Sequence, residues 1–141
     1  MEKASGSAHA SDGAVVAHIG IAVQGLDASV SFFRDVLGMR EVPLADSDGA
    51  KIAGFAAGDA LVELLEPASD DSPIGRFIAK RGGGLHHVCF AVPDLDASLE
   101  RCRKFGIRLI DETPRPGAEG KRIAFLHPSS TSGVLVELTE R

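Results

Sequence analysis

The chain contains no tryptophan and no tyrosine, and its seven phenylalanines sit inside apolar runs, so there is no aromatic platform for stacking bases. Basic residues are in the minority: 15 Lys and Arg against 20 Asp and Glu give a net charge of −5 and a pI near 5.5. That balance argues against a polyanionic partner, because nucleic-acid binding needs a basic footprint. No apolar run approaches the length of a membrane span. The first twenty residues are rich in Ala and Ser, but they carry Glu2 and Asp12 and no Arg, which fits neither a secretory signal nor a transit peptide. The two cysteines, Cys89 and Cys102, lie in apolar surroundings, which reads as reduced core thiols in a cytoplasmic protein. What is present is ordinary globular material. At 141 residues, 44% apolar and 25% charged, the chain is sized for one compact domain and excludes disorder for its bulk. Residues 1–13, including His9, lack periodicity and read as a flexible N-terminal arm, leaving 14–141 as the domain.

The sequence repeats itself. Residues 18–29 read HIGIAVQGLDAS and residues 87–98 read HVCFAVPDLDAS, with seven identities at an offset of 69. The match relaxes through VLGMREV (36–42) against KFGIRLI (104–110). It returns as ALVELLE (60–66) against VLVELTE (134–140) at an offset of 74, so the second copy holds about five extra residues, most economically in PRPGAEGK (114–121). Each copy opens with a strand, at 15–23 and 85–92. Helices at 28–37 and 97–105 follow, with Asp27 and Asp96 as expected N-caps and Gly38 and Gly106 as stops. Three more strands are expected in each copy, at 40–44, 51–57 and 60–65, and at 108–111, 122–126 and 134–139. Ser72-Pro73 opens a short helix to Lys80, and glycines 82–84 link it to the second copy. The expectation is an α+β fold of two paired βαβββ modules, 14–67 and 85–141, joined by a linker helix over 72–84.

Four residues stand out against this repeat. His18 and His87 occupy equivalent positions, and so do Glu63 and Glu137. Each glutamate alone interrupts an apolar strand, where an ionised carboxylate is costly to bury unless it is paired or bound to a metal. A single histidine at a strand start is usually structural, and a single strand glutamate is usually solvated. Two of each at symmetric positions point instead to a centre for Co, Mn, Zn, Ni or Fe(II). Strand alternation turns His86 away from His87, towards packing or a supporting role. His127, in the run FLHP, is a candidate substrate contact or an ordinary turn residue. The loop 117–122 brings Lys121 and Arg122 together with glycines and could cradle a phosphate or carboxylate, or be a plain hairpin. Arg101, Arg103 and Lys104 read as a solvated helix face.

The runs HIGIAV, ELLEP, DSPI with GGGLHHV, IAFLHP and GVLVEL together resemble the methylmalonyl-CoA epimerases, a family of the vicinal-oxygen-chelate superfamily, over about residues 15–140. The resemblance implies a cupped domain of paired βαβββ modules with His18, His87 and Glu137 as metal ligands. Glu63 matches a position that some members fill with Gln and that also faces the metal. Cobalt is the metal the resemblance favours, with zinc, manganese or nickel able to substitute. The implied activity interconverts the (R) and (S) forms of methylmalonyl-CoA through an enolate at C2, with Glu63 and Glu137 as the candidate catalytic carboxylates. His127, Lys121 and Arg122 are candidate substrate contacts, with an acyl-CoA thioester as partner and a homodimer as the expected assembly. One departure is specific: some epimerases have a proposed catalytic Glu where this chain has Ile52, which cannot transfer a proton. Three other readings stay open. They are a glyoxalase-like enzyme acting on a glutathione thiohemiacetal, an iron dioxygenase with two His and one carboxylate, and a metal-free binding module.

Overall fold

The computed structural model describes residues 13–141. The expected arm over 1–13, with His9, lies outside the described residues apart from Gly13. Eight strands and three α-helices follow one another: β1 (Val15–Ala22), α1 (Leu26–Ser31), β2 (Glu41–Val42), β3 (Ala50–Ala57), β4 (Ala60–Pro67), α2 (Pro73–Arg81), β5 (Gly84–Val92), α3 (Leu95–Lys104), β6 (Arg115–Pro116), β7 (Arg122–Leu126) and β8 (Val136–Glu140). All eight strands form one mixed sheet in the order β2-β3-β4-β1-β5-β8-β7-β6, curled into a half-barrel. The order reads the same from either end when the copies are exchanged. β1 lies beside its own module's last strand, β4, in parallel, just as β5 lies beside β8. The two opening strands, β1 and β5, pair antiparallel at the centre. The α+β architecture of two paired modules is therefore the observed fold.

Alternation in these strands separates two environments. On one face, Val62, Leu64 and Phe55 pack with Ile19, Ile21 and Leu26 under α1. The same face of the second copy packs Leu138, Ala124 and Leu126 against Leu95 and Leu99 of α3. The opposite, concave face carries His18, Glu63, His87, Phe125 and Glu137 and lines a cavity. A glutamate that interrupts an apolar strand is thus the residue whose side chain points into the cup while its neighbours feed the core.

Several boundaries differ from expectation for identifiable reasons. Asp27 and Asp96 sit inside the first helical turn rather than at the cap. Asp94 caps α3, its carboxylate accepting from the Ala97 N–H at 3.0 Å. Gly25 begins α1, and the Glu66 carboxylate from β4 accepts from the Leu26 N–H at 2.9 Å in place of a local cap. α1 stops at Ser31 and passes into a π-helical turn, Phe32–Val36, closed by Leu37 N–H to Phe32 C=O. Beyond α3, Gly106 (φ +74°) and Ile107 donate to Arg103 and Cys102 and close a Schellman motif. The expected strand 40–44 shrinks to Glu41–Val42, where Pro43 has no N–H for the ladder. The expected strand 108–111 forms only an isolated bridge, Leu109 to Leu126, because the Asp111 carboxylate takes the Phe125 N–H (2.8 Å) that a ladder would use. The edge strand there is Arg115–Pro116 instead. The linker helix begins with Ser72 capping the Gly75 N–H and Pro73 in the first turn, and it ends at Gly82 in the left-handed region.

The capping assignment is testable. Asp94→Ala is expected to destabilise the protein by about 1 kcal/mol in urea unfolding, and Asp96→Ala by only a few tenths, since Asp96 makes an exposed ion pair and a first-turn dipole contact.

Candidate metal centre and substrate cavity

The central strands β4, β1, β5 and β8 assemble the site by register. Gly20 of β1 lies opposite Glu63 on one side and His87 on the other, and Cys89 of β5 lies opposite His18 and Glu137. A glycine at position 20 is what admits the His87 ring. A Cβ built there would stand 2.2–2.8 Å from three of its ring atoms. All four predicted residues are buried: His18 4%, Glu63 3%, His87 6% and Glu137 5% exposed.

Three of them converge on one point. The Nε2 atoms of His18 and His87 are 3.0 Å apart, and Glu137 Oε1 lies 3.0 Å from the first and 3.1 Å from the second. Neighbouring ligands around a six-coordinate ion with bonds near 2.1 Å are separated by about 3.0 Å, so the triangle has the dimensions of one face of such a shell. Two imidazoles and a carboxylate suit Zn, Co, Ni, Mn or Fe(II). Glu63 is not part of the triangle. It lies on the other side of the His18 ring, with its Oε2 3.4 Å from Nδ1, beside Glu119 at 2.5 Å from the same nitrogen. His18 Nδ1, Glu63 Oε2 and Glu119 Oε2 are buried without a well-formed hydrogen bond. These three atoms form a second cluster of metal-ligand type on the Nδ1 side of His18, beside the triangle and separate from it.

The charges are unbalanced. Three carboxylates face two imidazoles in a buried basin. Burial alone would lower the His18 pKa, but contacts to Cys89, Glu119 and Glu137 and the field of Glu63 push it up to about 12. Burial works to raise Glu137, yet hydrogen bonds from His18 and His87 hold it down to about 2. Glu63 is pushed up to about 8, first by burial and then by the neighbouring Glu119 carboxyl. In the protein alone, protons on His18 and Glu63 supply the positive charge that a divalent cation would otherwise bring.

The four central side chains lie at the base of a cavity of about 510 Å³ with largely apolar walls, a size suited to a small-molecule ligand. Ile52 lines it and offers an apolar side chain with no proton to give or take. Lys121 also lines it. Arg122 does not: alternation in β7 turns it to the helix side, where it pairs at 3.0 Å with both Asp96 and Glu140. His127 is outside the cavity lining as well, because its Nδ1 caps a short helical turn by accepting from the Ser129 N–H at 3.0 Å. His86 departs from strict alternation. Ile21 pairs with Leu85 and Gly20 with His87, so His86 is the extra residue of a β-bulge. It reaches the cavity edge, meets the Phe77 ring edge-to-face at 4.9 Å between centroids and sets its Nδ1 3.0 Å from that of His87. The residue that sequence reasoning missed is Glu119. It sits in the segment flagged as the second copy's insertion, the one available signal, which folds back over the site.

A family model described as the Glyoxalase/Bleomycin resistance protein/Dioxygenase superfamily matches residues 17–125. The mitochondrial methylmalonyl-CoA epimerase of Mus musculus is 40% identical over 126 residues, covering 87% of this chain and 71% of that protein. The crystal structure of methylmalonyl-CoA epimerase from Mycobacterium tuberculosis shares 39% identity at a TM-score of 0.85, covering 89% of this chain and 86% of that one. A methylmalonyl-CoA epimerase in complex with methylmalonyl-CoA and NH4+ superposes with a TM-score of 0.87 at 36% identity, covering 92% of this chain and 95% of that one. The chain belongs to the methylmalonyl-CoA epimerase family. It is accordingly an enzyme of the isomerase class.

In this epimerase-family chain, Gly20→Ala tests the geometry of the triangle. The added methyl group forces the His87 ring out of place, and calorimetric affinity for Co(II) or Zn(II) is expected to fall at least tenfold while circular dichroism shows the fold retained.

Proposed function

We propose that the protein epimerises methylmalonyl-CoA at C2 and that it does so with a divalent cation, cobalt first and zinc, manganese or nickel as substitutes. The observation that carries this reading is the convergence of His18, His87 and Glu137 at 3.0–3.1 Å in the floor of an apolar cavity, in a chain of this family. His18, His87 and Glu137 are assigned to the cation. When bound, a divalent ion supplies the positive charge that opposes negative charge developing on the thioester oxygen as C2 loses its proton.

The chain's own residues do the rest. Glu63 is buried beside the triangle but outside it, so its carboxylate is available to carry the C2 proton rather than being committed as a ligand. Glu137, held ionised by two imidazoles, is assigned to the cation and not to proton transfer. Glu119 reaches from the loop to the same nitrogen of His18 and, less buried than Glu63, connects that carboxylate to the solvent side. The apolar walls, Ile52, Leu65, Ile74 and Phe125 among them, keep water from the reacting carbon and strengthen every charge interaction within. Inversion also requires proton delivery to the opposite face of C2, and Glu63 accounts for one of the two faces.

The proposal includes an acyl-CoA thioester as ligand and a cytoplasmic location. Among the described residues no helix is long and apolar enough to cross a membrane. A homodimer is also included, supported by exposed apolar side chains on the outer helical segment: Phe32 at 47%, Val36 at 70% and Leu37 at 52%.

The test is proton–deuterium exchange at C2 of methylmalonyl-CoA in D2O, followed by NMR with metal-free and Co(II)-loaded protein. Cation-dependent exchange is expected, reduced at least a hundredfold in Glu63→Gln. Exchange unaffected by that change would remove Glu63 from the proton path. No exchange with the cation bound would overturn the epimerase reading in favour of glyoxalase-like chemistry.

A further inference from the structure

Two permanent cations, Lys121 and Arg115, line the cavity, and Arg115 is held in an unusual way. Its Nε donates to Asp111 Oδ1 at 3.0 Å, and its Nη1 donates to Asp48 Oδ1 at 2.6 Å. The guanidinium lies 5.5 Å above the centre of the Phe125 ring, whose other neighbour, at 5.6 Å between centroids, is the His87 ring.

The two carboxylates play different parts. Asp111 is a fixed anchor: its side chain is 16% exposed and its second oxygen accepts from the Phe125 N–H. Asp48 comes from the other module and is 44% exposed. It stands at the tip of a tight hairpin in which Ser47 and Ala50 exchange backbone hydrogen bonds and Asp48 and Gly49 both adopt positive φ, +54° and +73°. That is the type I′ geometry favoured by Asp-Gly, and it points a short carboxylate across the cup without a flexible stem. Arg115 is on β6, the sheet edge at one end, and Asp48 immediately precedes β3, next to the opposite edge. The pair therefore joins the two rims of the half-barrel above the cavity. An exposed ion pair of this kind contributes little to stability, so its place in the cavity wall is not explained by holding the fold together.

We propose that Arg115 reads an anionic oxygen group of the acyl-CoA substrate, and that Asp48 is its built-in placeholder, displaced from the guanidinium when that group arrives. The inference rests on the acyl-CoA reading above. Asp111 keeps the guanidinium aimed while Asp48 is exchanged, and the planar fork of Arg suits a carboxylate or a phosphate equally. Both chemistries exist in a malonyl-type thioester of CoA, as the free acyl carboxylate and as the phosphates.

The test is calorimetric binding of malonyl-CoA, propionyl-CoA and CoA to the full chain and to Asp48→Asn, Arg115→Met, Arg115→Lys and the Asp48→Asn/Arg115→Met double variant. Asn tolerates the left-handed turn, so the first change removes the charge and keeps the hairpin. Asp48→Asn is expected to tighten malonyl-CoA binding about fivefold by removing the competing anion, and Arg115→Met to weaken it at least tenfold. Arg115→Lys should lose part of that, and the double variant should bind like Arg115→Met alone. A pattern confined to malonyl-CoA assigns the acyl carboxylate, and one shared by all three compounds assigns a phosphate. Asp48→Asn neutral or weakening overturns the placeholder, and Arg115→Met binding as tightly as the unmodified protein removes Arg115 from recognition and leaves the pair a rim fastening only. If the unmodified protein binds none of the three, the acyl-CoA reading itself falls, and this inference with it.

Discussion

The antiparallel pairing of β1 with β5 governs this molecule, because it brings the two copies of one sequence motif together at the centre of a single sheet. Its register sets His18 against Cys89 and His87 against Gly20, so that both imidazoles rise from the same concave face. The parallel strands β4 and β8 then flank that pair and deliver Glu63 and Glu137 from symmetric positions. Without that central ladder each module holds one histidine and one glutamate of the candidate site. With it, the helices α1 and α3 close the outer face and leave the inner one to chemistry.

Near symmetry does not make the two halves of the site equivalent. Glycine at position 20 lets the His87 ring lie across β1, whereas cysteine at the matching position 89 packs beside His18. The insertion in the second copy adds Glu119 on the Nδ1 side of His18, a carboxylate that the first copy does not match. The basin thus holds three carboxylates against two imidazoles, and its balance is met by protons or by a cation. A buried group of this composition is poor material for stability, since apolar side chains of the same size would pack at least as well. Its place in the fold is understandable as a site kept for chemistry.

Much of this was legible in the sequence because its signals are local and repeated. Apolar runs placed β1, β3, β4, β5 and β7 to within a residue or two, and the repeat itself implied the pairing of modules. The buried polar residues of the cup were legible for the same reason: Glu63 and Glu137 break apolar runs at equivalent places. What escaped was set by side-chain hydrogen bonds, some local and some between distant segments. Asp94 rather than Asp96 caps α3, the distant Glu66 serves α1, and an Asp111 side chain replaces a strand's hydrogen bond. Arg122 looked like a ligand contact from its neighbours in the loop, but β7 alternation turns it to Asp96 and Glu140. His127 is consumed by its own helical turn. His86 reaches the cavity edge through a bulge that no pattern in LHHV announces, and Glu119 reaches His18 by folding of a loop whose sequence gives only its length.

One histidine from each module is proposed to meet at a single cation. X-ray absorption on the Co(II)-loaded protein tests it most directly by counting imidazole scatterers around the metal. Two are predicted, falling to one in either His18→Ala or His87→Ala. A metal with no imidazole neighbour, or a spectrum unchanged by both substitutions, would contradict the account.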